Sequence, residues 1–196
     1  FVKSRGVNNI PHKICTYSCL YCQVGKAIKM QVNRQEFYKP EELVEEVKSV
    51  LCNIQHNDEY PDYITIVPDG EPTLDIHLGE LIEQLKTIKI PVAVITNASL
   101  IQFPEVQNDL LKADYVSVKA DTFNIENWHK INKPHTAYIS IPTRPPAFKK
   151  AIPADEAIVN EAYHILKEHI DKVELLTGYE GNAFSSTGDF REDILS

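Results

Sequence analysis

The chain has 196 residues, 43% apolar and 24% charged, with a net charge of −8, which suits one domain with a sizeable core. No run approaches the roughly 20 consecutive apolar residues of a membrane span, and no basic leader precedes an apolar stretch. The acidic balance speaks against a protein that grips nucleic acid along a basic stripe; Lys149-Lys150 and Arg144 are local exceptions.

In chain order, Pro40 sits where a helix starts, and Leu43, Val44, Val47, Val50, Leu51 and Ile54 repeat at helical spacing. Glu41, Glu42, Glu45 and Glu46 give that helix a solvated acidic face, with negative charge near its N-terminus. The run Tyr63–Val67 reads as a strand, and Leu78, Leu81, Ile82, Leu85 and Ile88 mark a second helix. Pro91 opens the strand Val92–Ile95; a short helix around Glu105–Lys112 leads to the strand Tyr115–Val118. Tyr138–Ile141 reads as a further strand, Pro153-Ala-Asp-Glu opens a helix carrying Ile158, Ala162, Ile165 and Leu166, and Val173–Leu176 is a last strand. Strands alternating with helices predict a parallel sheet of βα units, an α/β fold.

Cys15-Thr-Tyr-Ser-Cys19-Leu-Tyr-Cys22 carries the chemistry. Three thiolates this close can hold three irons of a cubane [4Fe–4S] cluster from one loop. The fourth iron then has no protein ligand, whereas ferredoxin-type carriers close that corner with a fourth cysteine. An open corner lets a small molecule bind the metal. Zinc is the rival, because C-x2-C is a common half-site and His12 offers the fourth ligand of a Cys3His site. A disulfide framework does not fit four cysteines spaced this way. Cys52, at the end of the first helix, reads as a small buried apolar residue. His12, His129 and His135 read first as surface or hydrogen-bonded residues.

Asp69-Gly70-Glu71-Pro72 after a strand and Ile95-Thr96-Asn97 at the end of the next one join the cysteines in the same order. Together they resemble the radical S-adenosylmethionine (radical SAM) superfamily, with Asp69 where the family usually has glycine. Gly6-Val-Asn-Asn-Ile-Pro11, Cys22-Gln-Val-Gly25 and Ile141-Pro-Thr-Arg-Pro-Pro146 resemble one archaeal and bacterial branch, related to the wyosine-base synthases that modify tRNA. The resemblance implies a partial (β/α)6 TIM-like barrel in the cytoplasm. It implies two cofactors, a [4Fe–4S] cluster on Cys15, Cys19 and Cys22, and S-adenosylmethionine. It also implies a reductant such as flavodoxin or ferredoxin.

Site roles follow residue by residue. Tyr21 is expected near the adenine. Gly70 is expected to let the backbone approach closely, and Glu71 or the adjacent carbonyls of the Gly70–Pro72 turn to accept from the methionine ammonium. Thr96 and Asn97 are expected at the methionine or ribose, and Asp121 at the ribose hydroxyls or the sulfonium side. Lys119 stands where relatives more often have serine. Arg144 is a candidate for a carboxylate or phosphate, and the loop Gly178–Phe184 for the mouth of the site. The implied activity is reductive cleavage of S-adenosylmethionine, followed by hydrogen abstraction from a tRNA base or a cofactor precursor. An activase acting on a partner protein and a non-catalytic zinc module are the alternatives.

Residues 1–196 read as a single domain with an extension from about 177. Only about twenty residues separate Tyr115–Val118 from Tyr138–Ile141, and a βα unit takes on the order of 30. A six-strand partial barrel therefore predicts a seam around 136–138, and the resemblance implies a second near 5/6, where resembling proteins carry further residues.

Overall fold

In a computed structural model of the chain, residues 3–54, 60–121, 125–138 and 172–177 are described. Five strands form one parallel sheet in the order β1 (Ser4–Val7), β4 (Tyr63–Ile66), β5 (Val92–Thr96), β6 (Tyr115–Ala120) and β7 (Lys172–Thr177). Two short strands, β2 (Ile14–Cys15) and β3 (Lys29–Met30), pair in parallel apart from that sheet. Helices α1 (Pro40–Asn53), α2 (Leu78–Lys86) and α3 (Pro104–Leu110) lie between successive strands β4 to β6 and before them. Each later strand joins the same edge of the sheet, which is how a barrel wall grows. The α/β fold with a parallel sheet is therefore the one expected.

Alternation along each strand decides what is buried. Ile64 and Ile66, Val92 and Val94, and Val116 and Val118 enter the core with Val44, Val47 and Leu51 of α1, the apolar stripe of α2, and Val106 and Leu110 of α3. Each fully buried aliphatic side chain contributes about 1.5–3 kcal/mol. The intervening strand positions point to the opposite face. Thr65 and Ser117 are buried there, and Ile95 is exposed.

Four details differ from the expectations. Cys52 is exposed: Val44, Val47 and Leu51 define the inward stripe of α1, and the residue after Leu51 is turned about 100° away from it. Ile125–Asn132 forms a helix, α4, in a stretch with weak helical propensity. Buried Trp128 and Ile131, three residues apart, give it a face to pack. Tyr138 belongs to a 3₁₀ turn, Thr136–Tyr138, and not to a strand. β1, absent from the sequence reading, is short and has only one apolar residue, Val7. The 5/6 position lies inside β1 and the 136–138 position on the 3₁₀ turn. Residues 139–141, the helix opened by Pro153, Arg144 and the loop Gly178–Phe184 lie outside the described residues.

Candidate cluster site at the strand ends

Parallel strands put all their C-terminal ends on one rim, where barrel folds place their sites. The cysteine loop follows β1, Asp69–Pro72 follows β4, Thr96-Asn97 ends β5, and Lys119–Asp121 ends or follows β6. The loop is folded by local bonds: Cys22 N–H donates to Cys19 O at 3.2 Å, Gly25 N–H to Cys22 O at 2.8 Å and Ala27 N–H to Ser18 Oγ at 3.1 Å. Cys15, Cys19 and Cys22 all line one cleft of about 100 Å³, with Lys13, Val24 and Gly70 among its other walls. Among the described residues no three Cys, His, Asp or Glu side chains converge on a single point as one ion requires. Three thiolates bound to three different irons need a shared cleft, and that is what the loop provides.

Gly70 is the residue that lets the second loop reach the first. A Cβ there would stand 1.9 Å from Ile14 O, directly before Cys15. Lys13 N–H donates to Asp69 O at 3.0 Å and Glu71 N–H to Ile14 O at 3.2 Å, so the two backbones run as a short ladder around that contact.

Glu71 is only 1% exposed, and its carboxylate is taken up by the protein. Oε1 accepts from Thr73 N–H at 3.1 Å, Thr73 Oγ1 at 2.6 Å and Thr96 Oγ1 at 2.6 Å; Oε2 accepts from Asn97 N–H at 2.8 Å. Burial pushes its carboxyl up, and the donors from Thr73, Thr96 and Asn97 oppose that. Its side chain ties the β4 turn to the end of β5. Pro72 is buried and its carbonyl accepts from Asn9 Nδ2 at 3.2 Å. Asn97 continues the weld: Nδ2 donates to Thr16 Oγ1 at 2.9 Å and lies 3.6 Å from Cys15 Sγ. Thr16 and Ser99 hydroxyls meet at 2.7 Å.

Tyr21 and Asp121 come together at the end of β6. Tyr21 Oη donates to Asp121 Oδ2 at 2.6 Å, Lys119 Nζ pairs with the same carboxylate at 3.3 Å, and the ammonium lies 4.0 Å from the Tyr21 ring centroid. Asn132 Oδ1 receives Cys19 Sγ at 3.3 Å and Tyr21 Oη at 3.4 Å. The end of α4 clasps the cysteine loop: Ser18 N–H donates to Asn132 O at 3.0 Å, Leu20 N–H to Ile131 O at 2.8 Å, and His135 N–H to Thr16 O at 2.9 Å. Tyr17 meets Trp128 edge-on at 5.6 Å. His12 pairs with Asp69 at 2.8 Å, His129 meets Trp128 edge-on at 4.9 Å, and His135 Nδ1 accepts from Ala137 N–H. Sequence reasoning missed Thr16, Ser99 and the bonding of Asn132. Their only signal is proximity to quoted motifs, because their partners are some 80 to 110 residues away.

Burial pushes the Cys15 thiol up to about 12, and the nearby Glu71 charge adds to that. Burial likewise pushes Cys19 up to about 12, with Lys119 pulling against it. Without metal, the raised values favour the protonated thiol of both residues at neutral pH. In metal-free protein at pH 8, iodoacetamide should label exposed Cys22 and Cys52 well before Cys15 and Cys19. Peptide mass spectrometry over a time course reads this; equal labelling of all four would refute the buried-thiol picture.

A parallel βα wall with a three-cysteine cleft on its strand-end rim is an α/β fold of the barrel class with a thiol-lined site. The Radical SAM superfamily model matches residues 9–143, so the chain belongs to the radical SAM superfamily, whose two cofactors are a [4Fe–4S] cluster and S-adenosylmethionine. A UPF0026 protein of Methanocaldococcus jannaschii is 34% identical over 249 aligned positions, covering 99% of this chain and 77% of the relative. That alignment is longer than the chain, so the relative has residues where this chain has gaps. Among solved structures, anSMEcpe with bound AdoMet matches with TM-score 0.57 at 18% identity, over 89% of this chain and 43% of that one. TYW1 with a lysine-pyruvate adduct bound matches with TM-score 0.50 at 19% identity, over 85% of this chain and 52% of that one. The chain thus spans about half the length of these solved structures, and at such identity the likeness is one of fold. Among the described residues no helix is long and apolar enough to cross a membrane.

Proposed function

We propose that the chain is a radical SAM enzyme whose cluster is held by Cys15, Cys19 and Cys22, with its substrate a tRNA base or a cofactor precursor. The observation that carries this reading is the shared cleft of the three cysteines, bonded at its back to the Gly-Glu-Pro turn. When bound, the cofactor pair supplies one-electron reductive cleavage of S-adenosylmethionine to methionine and a 5′-deoxyadenosyl radical. The protein's part is to position and to exclude water. Gly70 sets the backbone of its turn against the cysteine loop. Glu71 holds that turn to Thr96 and Asn97 from inside, so a methionine ammonium at the turn would be held by its backbone rather than by this carboxylate. Asn97 steadies Cys15; Asn132 steadies Cys19 and Tyr21. Asp121, bonded to Tyr21, would hold the tyrosine for an adenine.

Anaerobic reconstitution with iron and sulfide, reduction, and addition of S-adenosylmethionine should yield 5′-deoxyadenosine, measured by liquid chromatography. A full cluster that yields none refutes the proposal, and stoichiometric zinc in freshly purified protein favours the metal module. Deuterium transfer to a partner protein rather than a small molecule or tRNA marks the activase reading.

A further inference from the structure

Charge is distributed very unevenly along this acidic chain. Its first 35 residues contain Lys3, Arg5, Lys13, Lys26, Lys29 and Arg34 and no acid at all; every Asp and Glu lies from Glu36 onward. Arg34 is used internally, bonded to Asp109 and to the backbone at Thr73 and Asp75. Lys26 and Lys29 are exposed and make no ion pair among the described residues. Between them stands Ile28, 74% exposed, and Leu20 in the cysteine loop is 41% exposed. Cys22 is the exposed ligand candidate of the three.

The placement joins these observations. Val24, Gly25 and Ala27 line the thiol cleft, while Lys26, Ile28 and Lys29 in the same segment face solvent. The segment is tied to the cysteine loop's base, with Ile28 N–H and Lys29 N–H both donating to Lys13 O. Ile28 directly follows Ala27, a wall of the thiol cleft.

We propose that the Lys26–Ile28–Lys29 apron is the docking surface for an acidic electron-carrier protein that delivers the electron to the cluster. This rests on the cluster assignment above. Superfamily members need a reductant, and electron transfer falls steeply with distance, so the donor must seat beside the cleft. Redox encounters are small and transient. Opposite charge steers such an encounter and an apolar centre seats it. RNA is the less favoured occupant, because single-strand binders present stacking aromatics with their cations, and this apron presents an isoleucine.

The test compares two donors on one reconstituted protein. Cluster reduction is followed optically by stopped flow, with an acidic flavodoxin hydroquinone or with dithionite. For K26E/K29E, and separately for I28D, the flavodoxin-driven rate should fall about tenfold or more at low salt, with the dithionite-driven rate unchanged. The wild-type flavodoxin rate should drop as salt rises. The variant E45K/E46K on α1 should match wild type with both donors. Equal flavodoxin rates in all variants overturn the docking surface, as does a wild-type cluster that dithionite reduces and flavodoxin does not. Loss of bulk tRNA binding in K26E/K29E with the flavodoxin rate intact overturns it in favour of RNA. Wild-type protein that assembles no cluster is told apart at the start and removes the underlying reading as well.

Discussion

Cys15→Ala, Cys19→Ala and Cys22→Ala should each abolish assembly of a stable cluster, while Cys52→Ala should leave the iron and sulfide content of reconstituted protein near the wild-type value. In the proposed cluster each thiolate of the cleft would ligate a different iron, so losing one would leave two protein ligands and an exposed edge. Cys52 lies on the solvent side of α1, remote in sequence from the loop and absent from the cleft. Iron and sulfide assays after gel filtration read the result, with circular dichroism to confirm folding. Iron loss in the Cys52 variant equal to that in the loop variants would overturn the three-ligand assignment.

Gly70→Ala should be among the most damaging single-methyl changes available in this chain, costing about 2–4 kcal/mol and most of the cluster occupancy. The added Cβ would meet a backbone carbonyl, Ile14 O at 1.9 Å, with Ile14 C at 3.0 Å behind it. Backbone cannot swing aside as a side chain does. The two loops must part, which breaks the Lys13–Asp69 and Glu71–Ile14 bonds and shifts the segment that carries Cys15. Gly6→Ala is the matched control: its Cβ would meet only Val67 Cγ1, at an ordinary 3.6 Å, and the change should stay within about 1 kcal/mol. Urea unfolding of the metal-free proteins gives both values. Similar midpoints for the two variants would show that the loops are not held at the distance seen.

Local features were legible in advance because they depend on neighbours in sequence. The C-x3-C-x2-C spacing fixes which thiols share a loop. Period-3.6 stripes located α1 and α2, and short apolar runs after Pro or turn residues located β4, β5 and β6. Gly70 was legible as a close-approach residue, though not what it approaches. The fate of polar groups was not legible. Glu71 or its neighbouring carbonyls are the sequence's candidates for the methionine ammonium, and no local pattern announces that the carboxylate gathers donors from Thr73, Thr96 and Asn97. Nothing local distinguishes a carboxylate at the end of a strand that faces outward from one that faces inward.

By itself the sequence determined the α/β class, the three-cysteine loop and the order in which the motif loops follow the strands, since each of these is set by residues close along the chain. The tertiary structure alone decided that α4 folds, that its end clasps the cysteine loop through Asn132, and that Tyr21, Lys119 and Asp121 form one group. The bonds from Tyr21 to Asp121 and Asn132 join residues 100 and 111 positions apart, and they exist only once strand register brings the rim together. A hydrogen bond between distant residues leaves no period or spacing in the chain. It is fixed by the packing of the strands and helices that carry its two ends.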